Sequence, residues 1–301
     1  EARLLVGAAT TGACMRSFNE TIARLNERRA FGRPVGNFPS VQDRVAGMLA
    51  DVLALESLVH AVAGSDGPPR IDPLEPAVVR LAASRAAGRV LDASRDLFGA
   101  AAFGGAAGPA RRWTDTRALT LLDGSDSALE SYVFLEGSRE LRRRAEGAAD
   151  TLEPWARLDA LSGHALARVR ARLRRVRSGE AQGVPGQELL ALVHRLGERV
   201  HEEIRQHGRD IVEKQHVHRR LARIVADLAT WEALSTRLAT ELRRHGPVGA
   251  RRMVEVAEIW IGAATERLEG QFNLLARNDD ALRDGIATRA YQDGSYPFDI
   301  M

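Results

Sequence analysis

The feature that most constrains the fold of this chain is an apolar repeat of three and four residues that recurs through most of its length. Its clearest stretch lies between residues 41 and 62, where the repeating side chains are Val41, Val45, Met48, Val52, Leu55, Val59 and Val62. A stripe with this period is buried against neighbouring helices, whereas the side chains of a strand alternate with a period of two. We find no strand pattern, so the repeat predicts an all-α protein made of up-down helical bundles.

The composition agrees with helical packing. Of the 301 residues, 45% are hydrophobic and only 5% are aromatic. Such proportions suit packed helices better than sheets. The length allows two helical domains or one large one. We interpret the chain as two domains, a helical bundle over residues 1–147 followed by a second helical bundle over residues 148–301.

Charge and cysteine content exclude several classes of protein. The net charge is only +3, which is not typical of a protein that coats nucleic acid. Cys14 is the only cysteine, so the chain can form neither an internal disulfide nor a cysteine metal cluster. The stretch from His201 has Arg205 where the zinc helix H-E-x-x-H has its second ligand, and we expect no metal site.

The sequence gives few signs of a membrane span or an export signal. It has no run of about 18 apolar residues, so we expect no transmembrane helix. No signal peptide precedes the first helix, and we expect a bacterial cytoplasmic protein, with peripheral membrane contact as a further option. The chain begins at Glu1 inside a helical pattern, from which we expect a segment of a longer or processed protein.

Helix breakers divide the repeat into elements. The first helix is predicted over about residues 3–28, with an inward face of Leu4, Ala8, Gly12, Met15, Phe18, Ile22 and Leu25. Ser40 is expected to cap the second helix, and residues 111–123 are expected to be extended or irregular. Ser125 or Ser127 would cap the helix that follows. Later helices are predicted over residues 189–207, 215–244 and 249–277, the last two separated by Gly246 and Pro247, with a short helix after Asp279.

The segment from Glu27 to Met48 resembles the R-x-x-F-G-x-P-[IV]-x-x-F segment of acyl-CoA dehydrogenases, most closely their very-long-chain branch. The matching positions are Arg28, Phe31, Gly32, Phe38, Gln42, Ala46 and Met48. The resemblance implies that Arg28 contacts the pyrophosphate of FAD, usually that of the neighbouring subunit, and that Phe31 lies along the cofactor. A guanidinium fork suits bidentate binding of phosphate. From these residues alone, a helix–turn–helix with a surface arginine remains the alternative.

The second half resembles the C-terminal extension that very-long-chain acyl-CoA dehydrogenases and their closest relatives carry. The matching positions are Ile211, Val212, Gln215, Arg220, Leu221, Ala222, Asp227 and Leu228. The preceding segment 165–177 reads as a basic amphipathic helix, whose arginines include Arg170, Arg174 and Arg177. Such a helix is typical of a membrane surface, and the resemblance implies the same role. A solvated helix that packs on the bundle remains the alternative.

The resemblance also implies a reaction, the α,β-dehydrogenation of a long-chain acyl-CoA in fatty acid β-oxidation. In the family a carboxylate removes the α-proton while FAD accepts a hydride from the β-carbon. The family's E-G-T motif falls on Asp123, Gly124 and Ser125, which makes Asp123 the candidate base, one methylene shorter than Glu. A displacement of about 1 Å can cost about a hundredfold in rate. An aspartate that serves only the entry of a helix remains the alternative.

Other site residues follow from the same resemblance. Gly124 and Arg3 are assigned to the acyl-CoA substrate, and Ser125 to the cofactor. A minority branch of the family places its base on the first helix beside an arginine that aligns with Arg3. That base position is occupied here by Ala2, so the chain offers no substitute for Asp123.

The cofactor loop departs from the family pattern Q-[IV]-x-G-G-x-G. Asp96 replaces the glutamine, and a carboxylate there repels phosphate. Gly99 is kept, but Ala100 and Ala102 replace glycines, and their methyl groups hinder close approach of the backbone. The resemblance therefore implies a weakened FAD site in a homodimer that passes electrons to an electron-transferring flavoprotein. The alternative is a non-catalytic scaffold or assembly subunit derived from the family.

Overall fold

The structure, a computed structural model, describes residues 1–64, 73–105, 108–139 and 186–298. The all-α prediction is confirmed in these ranges. The helices are α1 (Ala2–Glu27), α2 (Pro39–Ala63), α3 (Leu74–Phe98), α4 (Pro109–Leu119), α5 (Asp126–Gly137), α6 (Gly186–His207), α7 (Gln215–Ala276) and α8 (Asp280–Asp293). The predicted basic helix over residues 165–177 lies outside the described residues.

The chain between α1 and α2 forms a small hairpin that the sequence pattern did not predict. Strand β1 (Arg29–Ala30) pairs antiparallel with β2 (Arg33–Pro34). The two residues of the turn, Phe31 and Gly32, both have positive φ, at 51° and 80°. A two-residue turn with this backbone matches the twist of paired strands. The hairpin therefore turns the chain sharply from α1 into α2.

The start of α2 differs from the prediction. The helix begins at Pro39, whose fixed φ suits the first turn, and Phe38 occupies the cap position. Ser40 therefore already lies within the helix and makes no capping hydrogen bond. The predicted stripe of α2 is confirmed, with Met48, Val52 and Leu55 buried at its centre.

The predicted inward face of α1 was partly wrong. Ala8 and Gly12 are exposed. The buried side is formed by Val6, Gly7, Thr10, Thr11, Cys14, Ser17, Thr21 and Leu25. Small residues are needed there because α3 approaches closely: a Cβ on Gly7 would lie 2.5 Å from Cγ1 of Val79. The hydroxyls of Thr11 and Thr21 donate to carbonyls of their own helix, which allows these polar side chains to be buried.

Residues 111–119 are helical, contrary to the expectation of irregular chain. Pro109 lies in the first turn of α4. The guanidinium of Arg112 donates to both carboxylate oxygens of Glu20 on α1, at 2.7 and 2.9 Å. The indole Nε1 of Trp113 donates to Asp92 on α3 at 2.7 Å. These tertiary contacts override the weak helix preference of the Thr-rich sequence.

The long helix α7 packs on α2, α3, α5 and α6. It is interrupted at Gly246, whose φ of 66° and ψ of 176° are not helical, followed by Pro247. The predicted break is therefore confirmed. The largest core cluster joins Ala54 and Phe134 from the first half of the chain to Leu221, Trp231 and Leu268. The two predicted bundles thus share a core, and the boundary at residue 147 stays a prediction.

Among the described helices, α2 is long and apolar enough to cross a membrane by length and composition alone. In this structure it packs against α1, α3 and α7. Its Asp51 accepts two hydrogen bonds from Arg89 of α3, at 2.6 and 2.7 Å. We therefore interpret α2 as a core helix of the bundle.

Candidate functional site

The turn between α4 and α5 carries the candidate base. Asp123 and Gly124 have consecutive positive φ angles of 66° and 109°. Ser125 caps α5 by accepting a hydrogen bond from the Ala128 amide at 3.3 Å, as one of the two predicted caps. Asp123 lies two residues before the cap, and its side chain turns to α1 instead. Capping of α5 therefore does not explain the carboxylate.

Asp123 and Arg3, both predicted site residues, meet across 120 residues of sequence. The Nε of Arg3 donates to Oδ2 of Asp123 at 2.7 Å, and the two side chains are 26% and 45% exposed. The Arg3 guanidinium also lies over the ring of Tyr132, 4.5 Å from its centroid. An ion pair this exposed contributes at most about 1 kcal/mol. Asp123 could therefore leave it at little cost to accept a proton.

A buried arginine supports this turn, and sequence reasoning missed it. Arg80 of α3 is fully buried, and its Nη2 donates to the Gly124 carbonyl at 3.1 Å. Its Nη1 donates to Asp126 at 3.2 Å. The only signal in the sequence is an arginine between Val79 and Leu81, inside the apolar stretch 77–83.

Two apolar side chains precede the turn at the surface. Leu121 and Leu122, just before Asp123, are 64% and 57% exposed. Exposed apolar surface of this kind beside a polar pair is typical of a ligand or domain interface. The carboxylate of Asp123 is therefore set in surroundings that could accept an apolar ligand.

The hairpin between α1 and α2 forms the second candidate region. Arg28 is exposed, and its Nη1 lies 3.5 Å from the point where a Cβ on Gly99 would stand. Phe31 is 94% exposed and contacts Phe38 edge to face, with 6.2 Å between ring centroids. A bulky residue at positive φ carries backbone strain, which persists at binding sites and turns. The structure therefore brings Arg28 and Gly99 together and presents the ring of Phe31 to solvent.

Asp96 lies in the last turn of α3 and is paired. Its Oδ2 accepts a hydrogen bond from Nη2 of Arg44 at 2.8 Å, and its side chain is 47% exposed. The guanidinium of Arg44 balances the carboxylate charge that was expected to repel phosphate. Gly99, the C-cap of α3, has a φ of 64° that only glycine adopts without strain.

The two regions lie far apart. Arg80, beneath the Asp123 turn, and the C-cap Gly99 belong to the same helix, and the stretch between them is about 28 Å long at about 1.5 Å per residue. Ser125, predicted to bind the cofactor, therefore belongs to the Asp123 region and not to the Arg28 region. The predicted membrane residues Arg170, Arg174 and Arg177 lie outside the described residues. Within the described ranges, no group of three or more His, Cys, Asp or Glu side chains could hold a metal ion.

Two family models match the chain. Residues 1–133 match the model described as acyl-CoA dehydrogenase, C-terminal domain. Residues 182–289 match the model described as ACAD9/ACADV, C-terminal domain. The very long-chain specific acyl-CoA dehydrogenase of Bos taurus mitochondria is 22% identical over 282 residues, which covers 91% of this chain and 43% of that protein. The chain thus spans about two fifths of the length of this relative.

Solved structures share the fold. An acyl-CoA dehydrogenase complexed with FAD from Bacillus anthracis superposes with a TM-score of 0.71 at 17% identity, covering 99% of this chain and 52% of that one. ACDH-11 of Caenorhabditis elegans in complex with C11-CoA superposes with a TM-score of 0.60 at 16% identity, covering 86% of this chain and 42% of that one. At these identities the likeness establishes the helical architecture.

Proposed function

The chain belongs to the acyl-CoA dehydrogenase family, because it carries both of the C-terminal domains matched above, and we propose that it is the C-terminal part of an FAD-dependent enzyme. The proposed enzyme oxidises a long-chain fatty acyl-CoA to the trans-2-enoyl-CoA. The observation that carries this proposal is the surface carboxylate of Asp123, which pairs with Arg3 and which the sequence resemblance assigns to the family's base.

In the proposed reaction the Asp123 carboxylate accepts the proton of the acyl α-carbon. Because Arg3 holds that carboxylate by one exposed ion pair, the approach of substrate can separate the two at small cost. When bound, FAD supplies the acceptor for the hydride that leaves the β-carbon. The electron pair of the broken α C–H bond then forms the double bond of the enoyl product, and no further reactant is needed.

The hairpin residues fit the cofactor. Arg28 is exposed, and no carboxylate of the described residues pairs with it, so its fork is available to phosphate oxygens. Phe31 presents a flat ring that is almost fully exposed. With Asp96 neutralised by Arg44, the remaining obstacle is the alanines that follow Gly99. We therefore assign Arg28 and Phe31 to the cofactor, with Asp96 and Gly99 as neighbouring contacts.

The separation of the two regions supports a homodimer. Because about 28 Å of α3 lies between them, Arg28 and Asp123 of one copy are poorly placed to serve the same flavin. In a two-fold dimer, Arg28 of one copy can complete the site of Asp123 in the other. This arrangement agrees with the resemblance, in which the arginine reaches the neighbouring subunit.

Substrate class and partners are part of the same proposal. The very long-chain specificity named for the bovine relative supports a long acyl chain, and C11-CoA bound to the C. elegans protein supports an acyl-CoA. We propose an electron-transferring flavoprotein as the acceptor and a cytoplasmic location. A membrane-surface role for Arg170, Arg174 and Arg177 is retained as a proposal from the sequence.

A non-catalytic scaffold is the second candidate function. The shortened base and the alanines of the cofactor loop favour it. So does the exposure of Asp123, since a base in this reaction works best in a dry pocket. Flavin content separates the two candidates, because a scaffold with a lost cofactor site would be purified without bound FAD.

The test uses the full-length protein that carries this chain. Asp123→Asn should abolish turnover of palmitoyl-CoA with a dye acceptor, because an amide cannot accept the α-proton. Asp123→Glu restores the length of the family's base and should raise the turnover number about tenfold. Flavin absorbance should be the same in the wild type and both variants.

Asp115→Asn is the matched control. Asp115 is an exposed aspartate on α4 that pairs with Arg111 of its own helix, and its loss should leave turnover unchanged. Equal activity in the wild type, Asp123→Asn and Asp123→Glu would remove Asp123 from the mechanism. A full-length protein with neither flavin nor turnover would favour the scaffold.

A further inference from the structure

Arg80 is a buried charge that the proposed reaction does not use directly. Its side chain is fully buried, and taking a guanidinium out of water is costly unless its N–H groups find acceptors. Two of its donors are satisfied by the Gly124 carbonyl and by Oδ1 of Asp126. Its Nε has no hydrogen-bond partner among the described residues. A buried arginine with an unsatisfied N–H is costly, so we ask which part of the structure its two hydrogen bonds stabilise.

The three contacts around Arg80 form a clamp on the turn that carries Asp123. Ser84 lies one helical turn further along α3, and its Oγ donates to Oδ2 of Asp126 at 2.7 Å. Asp126 thus receives one donor on each carboxylate oxygen, both from α3. The remaining contact of Arg80 reaches the carbonyl of Gly124, the residue directly after Asp123. The backbone on the C-terminal side of Asp123 is therefore tied to α3 at two points.

The turn needs such support because its backbone is strained. Gly124 adopts its positive φ of 109° freely, so the cost falls on Asp123, whose φ is 66°. Aspartate tolerates this region better than most residues, but it still costs free energy that surrounding contacts must offset. Released from α3, the turn would relax and carry the Asp123 carboxylate away from its present direction beside Arg3.

We propose that Arg80 is a positioning residue for Asp123, which holds the strained turn 123–125 in place through the Gly124 carbonyl and Asp126. This inference rests on the proposed function, since it assigns the clamp to the alignment of a catalytic base. Arg80 cannot touch substrate, because no part of its side chain reaches the surface. Its planar fork is the relevant property, since it reaches a carbonyl and a carboxylate at once, which a lysine ammonium does less well.

The test substitutes Arg80→Lys in the full-length protein and compares it with Arg85→Lys. Arg85 is a suitable control because it lies on the same helix, is largely buried, and contacts Asp227 and the Arg223 carbonyl of α7 instead of the turn. Arg80→Lys should lower kcat by about 10- to 100-fold, the loss expected for a displacement of up to about 1 Å, with KM changed less than about twofold. Flavin content should stay the same. Arg85→Lys should leave kcat within about twofold of the wild type.

Amide hydrogen exchange over residues 122–128 gives a second reading that does not depend on activity. It should be faster in Arg80→Lys and unchanged in Arg85→Lys. Should Arg80→Lys fail to fold, Ser84→Ala removes a single donor to Asp126 and should lower kcat about fivefold, the effect of one hydrogen bond.

The proposal would be overturned if the two lysine variants lost kcat equally. It would also be overturned if amide exchange over residues 122–128 were unchanged in Arg80→Lys. A wild-type protein without turnover would overturn the proposed function instead. The exchange measurement would then decide by itself whether Arg80 holds the turn.

Discussion

At the scale of single residues, arginine side chains with two hydrogen bonds to one carboxylate connect helices that also pack through an apolar cluster. Arg89 of α3 donates two hydrogen bonds to the carboxylate of Asp51 on α2, and Arg112 of α4 donates two to that of Glu20 on α1. Bidentate pairs of this kind fix orientation as well as distance. The apolar packing holds the helices together, and these ion pairs fix their relative orientation.

Cys14 lies next to one of these ion pairs and should be chemically inert. Burial raises the pKa of its thiol to about 12, with a further contribution from Asp51. At pH 8 only about one thiol in ten thousand would then be ionised, against about a quarter for a free cysteine, and the thiolate is the reactive form. We expect Ellman's reagent to leave the folded protein unmodified and to react within minutes in denaturant. Rapid modification of the folded protein at pH 8 would show that Cys14 is accessible.

Residue positions along the chain could be predicted better than the contacts those residues make. Spacing against the family motif placed Arg28, Phe31 and Asp123, and the structure leaves each of them at the surface. The pairing of Arg3 with Asp123 was not predicted, because a helical period does not specify which distant segment faces a side chain. Arg80 was missed for a related reason: a charged residue in a helix is normally assigned to solvent.

At the scale of elements, α8 is linked to α7 by hydrogen-bonded ion pairs. None of its residues is buried, and an isolated helix of its length is marginal in water. Arg220 of α7 donates to Oδ2 of Asp280 at 2.7 Å, and His216 contacts Asp284 at 3.0 Å. The docking of α8 on α7 therefore depends on a few carboxylates.

This makes the docking of α8 sensitive to acid. The hydrogen bond from Arg220 lowers the pKa of Asp280 below its ordinary value. A lowered carboxyl pKa stabilises the docked state above the ordinary pKa of about 4, and this contribution is lost as the pH falls through the lowered value. We expect amide exchange in α8 to be slow at neutral pH and to rise below about pH 4, after correction for intrinsic rates.

Asp280→Asn should mimic acid at neutral pH. It leaves Arg220, which is almost fully buried, without its charged partner, at a cost of about 1–3 kcal/mol, so exchange in α8 should rise about 5- to 150-fold. Asp279→Asn is the control, because Asp279 forms its ion pair with Arg283 of α8 itself and has only a weaker electrostatic interaction with Arg220 of α7. If both variants exchange alike, the Arg220–Asp280 pair does not anchor the helix.

Some elements could be predicted from the helical period of their apolar residues alone, and others could not. The stripe of α2 and the break at Gly246 and Pro247 were predicted because each depends on local chemistry, an apolar seam or a missing amide. The face of α1 and the helix α4 were not, because each depends on a neighbour. Helix α1 turns its small and hydroxyl residues to α3, and α4 is stabilised by Glu20 and Asp92 on other helices.

At the scale of the whole molecule, α7 joins the two halves of the chain. Its first part packs on α2, α3 and α5, and its core residues Leu221 and Trp231 belong to the same cluster as Ala54 of α2. A sequence pattern marks two groups of helices here but cannot show that they share a core, since each group has its own apolar stripe. The extension and the first domain should therefore unfold together.

The distance between the two candidate regions leads to the last prediction. If Arg28 of one copy completes the site that contains Asp123 of the other, Arg28→Ala and Asp123→Asn damage different subunits of one site. Each variant alone should be nearly inactive, the first through loss of a phosphate contact and the second through loss of the base. Mixing the two full-length variants under conditions that exchange subunits should then restore activity.

The activity expected after mixing follows from the fraction of hybrid dimers and the number of intact sites in each. In a random one-to-one mixture about half of the dimers are hybrids, and one of the two sites in each hybrid has both an intact Asp123 and an intact Arg28 from its partner. Activity should therefore reach about a quarter of the wild-type value, as measured by turnover of palmitoyl-CoA after subunit exchange. If Arg28 instead served its own subunit, every site of the hybrid would carry one defect, and mixing would restore no activity. The double variant Arg28→Ala/Asp123→Asn mixed with wild type is the complementary control. With contacts between subunits, every site of those hybrids is defective and the mixture retains only about a quarter of the wild-type activity, whereas with contacts within one subunit it retains about half.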